Sequence, residues 1–163
     1  MKTTRNMLLI AMALITLASC TSENKKQTNS SKTETMEKQA KQEIENLLMT
    51  YKGTLNTSNA EKATSLYTKD GVFMPTGAPS AIGTEQIKKA YDFVFSQIQL
   101  NIEFLIEEIT VENDFAFAVT SSKGTTLIHA NGETIPEENR ELFVFEKENG
   151  IWKIARYMFN KTK

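Results

Sequence analysis

Residues 140–160 read RELFVFEKENGIWKIARYMFN, and the fold turns on the two residues in the middle. Asn149-Gly150, flanked by Glu148 and Ile151, predicts a type I′ hairpin turn, because both central positions of that turn need positive φ and Asn and Gly reach it most cheaply. A two-residue turn also sets register. Counting outward, Lys147 faces Trp152, Phe145 faces Ile154, Phe143 faces Arg156 and Glu141 faces Met158, all on one side. The other side pairs Val144 with Ala155, Leu142 with Tyr157 and Arg140 with Phe159. The first side, with Trp152, Phe145, Ile154 and Phe143, is the expected core. Glu141 and Arg156 then lie diagonally at its far end, within side-chain reach. The second side is apolar too, whereas an antiparallel sheet with one wet face alternates cleanly between apolar and polar. A homodimer through this outer face is therefore expected, with Arg140 in reach of the other copy.

Upstream the pattern is consistent. Asn113-Asp114 turns the chain into a strand with Phe115, Phe117 and Val119 on one side. Before it, Ile102, Phe104 and Ile106 alternate, and the apolar phase then jumps to Ile109 and Val111, predicting a β-bulge near Glu107-Glu108. Those two glutamates make a poor acid/base dyad, since neighbours on a strand point to opposite faces. Further back the period becomes helical. Met36, Ala40, Ile44, Leu47, Leu48, Tyr51 and Leu55 form one stripe, predicting a helix over about 36–55. Ser58-Asn59-Ala60-Glu61 opens a second helix, with Ala60, Ala63, Leu66 and Tyr67 on one face. Asp70-Gly71 breaks it, Val72-Phe73-Met74 reads as a short strand stopped by Pro75, and Gly77, Pro79 and Gly83 mark a loop. Thr84 caps a third helix whose stripe is Ile87, Ala90, Tyr91, Val94, Phe95 and Ile98. The expectation is an α+β domain over 36–163: three helices packed on a long, curved, bulged antiparallel sheet, cone-shaped, with a pocket between the layers.

The N-terminus carries a different message. Lys2 and Arg5 precede an almost unbroken apolar run from Met7 to Leu17. At about 11 residues it is too short to span a bilayer as a helix and has the length of a signal-peptide core. Leu17-Ala18-Ser19-Cys20 follows, small residues leading into the only cysteine of the chain. This resembles the bacterial lipobox, in which the cysteine sulfur receives a diacylglyceryl group and cleavage exposes its amino group for another acyl chain. Residues 1–19 are thus read as a lipoprotein signal peptide, Cys20 as the lipidation site, and 20–35, rich in Ser, Thr, Asn, Lys and Gln, as a disordered tether. The expected location is the cell envelope, lipid-anchored to a bacterial membrane.

Composition removes several classes of function. The 163 residues carry 19 Lys+Arg and 20 Asp+Glu, and the formal charge of −1 becomes −3 once Lys2 and Arg5 leave with the signal. A mildly acidic domain without a basic stripe is a poor nucleic-acid binder. One cysteine and one histidine allow no intrachain disulfide and no His-rich or thiolate metal cluster, and no cofactor motif is present.

The segment Leu66-Tyr67-Thr68-Lys69-Asp70-Gly71-Val72-Phe73-Met74-Pro75, then Ile82-Gly83-Thr84-Glu85-Gln86-Ile87, and finally Trp152-Lys153-Ile154-Ala155-Arg156-Tyr157-Met158-Phe159-Asn160, resembles the nuclear-transport-factor-2-like superfamily. The nearest likeness is to its SnoaL-like and SgcJ/EcaC-type bacterial domains of unassigned function, over about Lys38 to Asn160. The resemblance implies a cone fold, a ligand in the cone and dimerisation through the outer sheet face. It does not imply one activity, because the superfamily holds isomerases, dehydratases, cyclases, oligomerisation modules and carriers. In ketosteroid isomerases an Asp directly before the matching proline is the base; here Met74 stands there, and a thioether cannot abstract a proton.

The candidate ligand-binding residues are Tyr67, Met74, Tyr91, Phe117, His129, Glu141, Phe143 and Arg156. Glu141 and Arg156 read either as a pair orienting a polar ligand or as a structural ion pair. His129 reads as a general base or as a lone histidine at a strand end. The aromatic residues and Met74 read as cone lining or as ordinary core.

Overall fold

The computed structural model describes residues 23–162, with side chains from Lys32 onward. The signal peptide over 1–19 and the lipidation site at Cys20 lie outside the described residues. Three helices and six strands follow in the order α1 (Glu23–Asn56), α2 (Ala60–Ser65), β1 (Tyr67–Met74), β2 (Ala81–Ile82), α3 (Gly83–Gln97), β3 (Ile98–Glu112), β4 (Phe115–Ile128), β5 (Thr134–Glu148) and β6 (Ile151–Lys161). The strands form one sheet ordered β2-β1-β6-β5-β4-β3. Most pairs are antiparallel, but β1 runs parallel to β6.

α1 begins well before the expected Met36, so Glu23–Thr35, read as tether, is helical. The reason is local: no Gly or Pro interrupts residues 23–52, and once Ile44, Leu48, Tyr51 and Leu55 anchor the packed end, the turns before it add one hydrogen bond per residue ordered. Lys41 and Glu37 pair at 2.8 Å along this stretch, and side chains 32–39 are exposed. Asn59 caps α2 by accepting from the Lys62 N–H at 2.9 Å. α3 starts at Gly83 with no side-chain cap, so Thr84 lies inside the first turn rather than before it.

The Asn149-Gly150 turn has positive φ at both residues, 53° and 79°, as a type I′ turn requires. Register then follows the expected count through Glu148–Ile151, Lys147–Trp152 and Phe145–Ile154. There it shifts. Ala155 is an extra residue, and Val144 pairs with Arg156, Phe143 with Tyr157, Leu142 with Met158 and Glu141 with Phe159. The bulge reverses the phase of β6, so Tyr157 and Phe159 turn inward while Arg156 and Met158 turn outward, opposite to the sequence reading. Nothing in the alternation reveals it, because both phases of this strand carry large side chains.

The second bulge falls where the apolar phase slips, with Glu107 as the extra residue between Ile106 and Glu108. On β4 the inward residues are Ala116, Ala118, Thr120 and Ser122, all buried, and Phe117 and Val119 face outward. The inner face is thus lined by small side chains along β4 and by rings along β5 and β6. Phe143 stacks on Tyr157 at 4.3 Å, Tyr157 on Phe73 at 5.6 Å, and Phe73 on Tyr91 at 4.8 Å, tying strands to α3.

The backbones crowd together at Gly124, opposite Ile102 and Glu137. A Cβ there would stand 2.0 Å from the Asn101 carbonyl oxygen, so the neighbouring strand folds over the inner face where a side chain would sit. Gly124→Ala should force β3 and β4 apart and lower stability by about 1–3 kcal/mol, the usual cost of overpacking, read as a depressed midpoint in thermal or urea denaturation. An unchanged midpoint would mean that the bend at Gly124 is slack.

Candidate functional site

A cavity of about 290 Å³ opens between α3, the loop after β1, the first residues of β3 and the inner faces of β5 and β6. Its apolar wall is made by Ala90, Phe93 and Val94 of α3 with Phe73 and Phe159, and Tyr51, Tyr91 and Tyr157 form its floor. The remaining wall is polar. Glu137, Asn139 and Glu141 occupy alternate positions of β5, so all three point to the same face, and Lys161 at the end of β6 adjoins them.

All three β5 residues are buried, and burying such groups is costly unless partners replace water. The replacements come from the small inward residues of β4. Glu141, only 4% exposed, accepts from Thr120 Oγ1 at 2.5 Å and from Tyr157 OH at 3.2 Å, with the Ser122 hydroxyl beside them. Burial pushes its carboxyl above the ordinary value of 4.5, against the pull of these three hydroxyls. Glu137 accepts from Thr126 Oγ1 at 2.7 Å, Asn139 Nδ2 at 3.0 Å and Lys161 Nζ at 3.0 Å. Burial alone would raise this carboxyl as well, but the three bonds and the Lys161 charge outweigh it and hold the group below the usual range. Asn139 Nδ2 also donates to Ser122 Oγ at 3.1 Å, while its Oδ1 has no partner among the described residues.

Beneath this wall the phenols are linked. Tyr51 OH bonds Tyr91 OH, and Tyr91 OH bonds Tyr67 OH at 2.8 Å. Burial raises the pKa of each of these tyrosines and of Tyr157, so all four remain neutral hydroxyls across the physiological range.

Of the residues singled out from the sequence, Tyr91 and Glu141 line the cavity. Tyr67 sits one layer behind, reaching the site through Tyr91. Phe143 is fully buried under Tyr157. Phe117 and Met74 lie on the outer face, Met74 opposite Met158. His129 is exposed in the turn after β4, its Nδ1 3.1 Å from the Ser96 carbonyl oxygen. Arg156, displaced by the Ala155 bulge, lies on the outer face opposite Val144 and donates to the Ala155 carbonyl oxygen at 2.6 Å. The expected Glu141–Arg156 pair is therefore absent. Glu137, Asn139, Tyr157 and Lys161 were not anticipated. The first two were within reach of the alternation rule, because counting back by twos from the inward Phe143 gives Glu141, Asn139 and Glu137.

The chain matches the family model described as "SnoaL-like domain" over residues 44–159. A crystal structure of a ketosteroid isomerase-like protein from Erwinia carotovora atroseptica is 30% identical, covering 74% of this chain and 94% of that one with a TM-score of 0.71. A nuclear transport factor 2-like superfamily protein from Salmonella enterica serovar Typhimurium is similar in fold at 20% identity, covering 77% and 93% with a TM-score of 0.69. An NTF2-like protein with a cystatin-like fold from Novosphingobium aromaticivorans, at 19% identity, covers 76% and 82% with a TM-score of 0.60. A comparison with curated proteins finds no match.

The two carboxylates make opposite contributions to acid stability. The raised Glu141 carboxyl contributes stability that is complete below its unfolded value and fades as pH rises through the folded one; the depressed Glu137 carboxyl contributes stability present above its unfolded value and lost as pH falls. On acidification from about pH 7 to about pH 4, Glu137→Gln should lose less melting temperature than wild type and Glu141→Gln should lose more. Melting curves at the two pH values check the signs, and shifts in the same direction would contradict this assignment.

Both the matched segment and the bulged, cone-shaped sheet lead to one conclusion: the chain belongs to the SnoaL-like domain family.

Proposed function

We propose that this protein is a membrane-anchored, dimeric domain that binds a small, largely apolar molecule in the cone. The observation that carries the binding role is the cavity itself: open volume of about 290 Å³, ringed by aromatic side chains and crossed along one wall by a row of buried polar groups. A wall built only for stability would be apolar, since each of these groups costs free energy to bury. Apolar lining with a few placed polar groups is the usual composition of small-molecule sites.

A second reading, an acid/base enzyme of the isomerase, dehydratase or cyclase kind, has one specific support. Glu141 is a buried carboxyl with raised proton affinity beside open volume, the condition in which a carboxyl holds a proton for transfer. Against the ketosteroid-isomerase form of that chemistry, Met74 replaces the base and faces away from the cavity. His129, exposed beyond the sheet, is no substitute.

The dimer is proposed on the outer sheet face, where Phe117, Val119, Val144, Leu142 and Met158 are contiguous across β4, β5 and β6. Leu142 and Met158 remain 38% and 44% exposed there, and a second copy of the same apolar face is the simplest cover. The anchor is proposed on Cys20, with α1 leading from it into the domain.

Two experiments test these roles. Ala90→Trp should fill the cavity and weaken uptake of an environment-sensitive apolar dye by at least about tenfold, near 1.4 kcal/mol, with melting behaviour retained; undiminished uptake would place binding elsewhere. In detergent extracts, Leu142→Glu should shift the protein from dimer to monomer by light scattering, and Cys20→Ser should move it from the membrane to the soluble fraction. A wild-type monomer, or a Cys20→Ser protein still in the membrane, would refute the corresponding half.

A further inference from the structure

We propose that the molecule held in the cone ends in a hydrogen-bond donor: a compact, two-ring-sized apolar alcohol, phenol or protonated amine, and not a ketone or a carboxylate. This rests on the binding role proposed above and specifies the chemical class of ligand.

Apart from two hydrogens of Lys161 at its solvent edge, the wall has few hydrogens left to give. Thr120 and Tyr157 donate to Glu141, with the Ser122 hydroxyl beside them. Thr126 and Lys161 donate to Glu137, and Asn139 Nδ2 divides its two hydrogens between Glu137 and Ser122 Oγ. The Asn139 amide cannot be turned over, because its oxygen would then face the Glu137 carboxylate, which only accepts. What the wall has left is acceptor capacity: the remaining carboxylate lone pairs and Asn139 Oδ1, an unpartnered atom on a residue 6% exposed.

The floor adds little. Three phenols, Tyr67, Tyr91 and Tyr51, share two bonds, so two of their three hydrogens are spent among themselves. The fourth phenol, Tyr157, spends its hydrogen on Glu141. Among the described residues, the one cation lining the cavity is Lys161, half exposed at the solvent edge and held on Glu137 at 3.0 Å. Two carboxyls against one ammonium give a field that is neutral or negative, never positive, so a ligand carboxylate would be repelled. A ligand carbonyl would leave a row of acceptors facing an acceptor, and unmatched buried polar groups are what sites reject most strongly. The size follows from the volume, since 290 Å³ is roughly twice the ~150 Å³ apolar cavity that takes up benzene.

The test is a calorimetric titration of the full chain with four probes on one naphthalene body: 2-naphthol, 2-(aminomethyl)naphthalene, 2-acetylnaphthalene and 2-naphthoate. The naphthol and the ammonium should bind at least about tenfold tighter than the ketone and the carboxylate, a gap of about 1.4 kcal/mol. Glu141→Gln, which places a donor NH₂ on the wall, should narrow the gap between naphthol and ketone. Equal or tighter binding of the ketone or the carboxylate would overturn the donor assignment and leave the binding role standing. If no probe binds a cooperatively melting protein, the binding role and the donor assignment fall together.

Discussion

One extra residue in the last strand decides what the interior of this protein contains. The Asn149-Gly150 turn locks β5 and β6 in register, and from that point every side chain on β6 is committed to a face by the two-residue period. Ala155 breaks the commitment. Without it Arg156 and Met158 would point at the helices and Tyr157 at the outer face. With it the inward row becomes Trp152, Ile154, Tyr157, Phe159 and Lys161, a run of rings ending in one ammonium. The bulge has a counterpart in β1, which meets β6 at Tyr67–Ile154 and again at Val72–Arg156, with four residues of β1 between those pairs and one of β6. Gly71 lies in that loop of chain, where an added Cβ would stand 3.0 Å from the Tyr67 side chain.

The same bulge explains why the cavity has a polar side. Tyr157, turned inward, brings its hydroxyl to Glu141, and Lys161, in the same phase, reaches Glu137. The β4 hydroxyls supply the other bonds from the opposite strand. Glu137 thus has three donors and Glu141 two, which makes tolerable a burial that would otherwise be prohibitive. The two carboxyls nevertheless end on opposite sides of their ordinary value. Glu137 gains a cation, whereas Glu141 has only neutral donors and feels the charge of Glu137. Burial pushes both carboxyls up and is the largest cause at each; the bonds and the charge around Glu137 overcome it, and the bonds around Glu141 do not.

Space for a ligand arises from a mismatch between strands. β5 and β6 send rings inward, whereas β4 sends alanine, threonine and serine, so the concave side of the sheet is filled unevenly. With the Glu107 bulge and the close approach at Gly124, Ile98, Leu100 and Ile102 of β3 come to line the gap, and the short β4 side chains stand behind its polar wall as partners of Glu137, Asn139 and Glu141. α3 then covers the cavity with a face that mixes buried Tyr91 and Phe95 with Phe93, still 67% exposed at the rim.

The chain alone determined the cores of the three helices and the long strands, the two Asn-containing turns, the bulge near Glu107 and the inward face of β5, because each of these is a short-range pattern: a positive-φ turn, a slip of apolar phase, a count by twos. Tyr67, read on the face of the second helix, instead opens β1, and Ile98, read in the stripe of the third, opens β3. Glu141 and Tyr91 were legible as site residues for the same reason, and Glu137 and Asn139 were legible in principle by extending the count. The direction of Arg156 was not, nor that of Tyr157 and Phe159. A bulge in a strand that is apolar in both phases leaves no trace in the alternation. Its position is chosen by how β6 must fit β1 on one side and β5 on the other. Nor could local pattern say that Phe117 and Met74 face outward, since a period of two identifies two faces without telling which one the helices cover. The helical run from Glu23 to Thr35 likewise depends on packing elsewhere, at Ile44 to Leu55, which nucleates turns that polar composition by itself would not hold. Partners brought together across the sheet, Thr120 with Glu141 and Lys161 with Glu137, exist only once tertiary structure has excluded water and made them necessary.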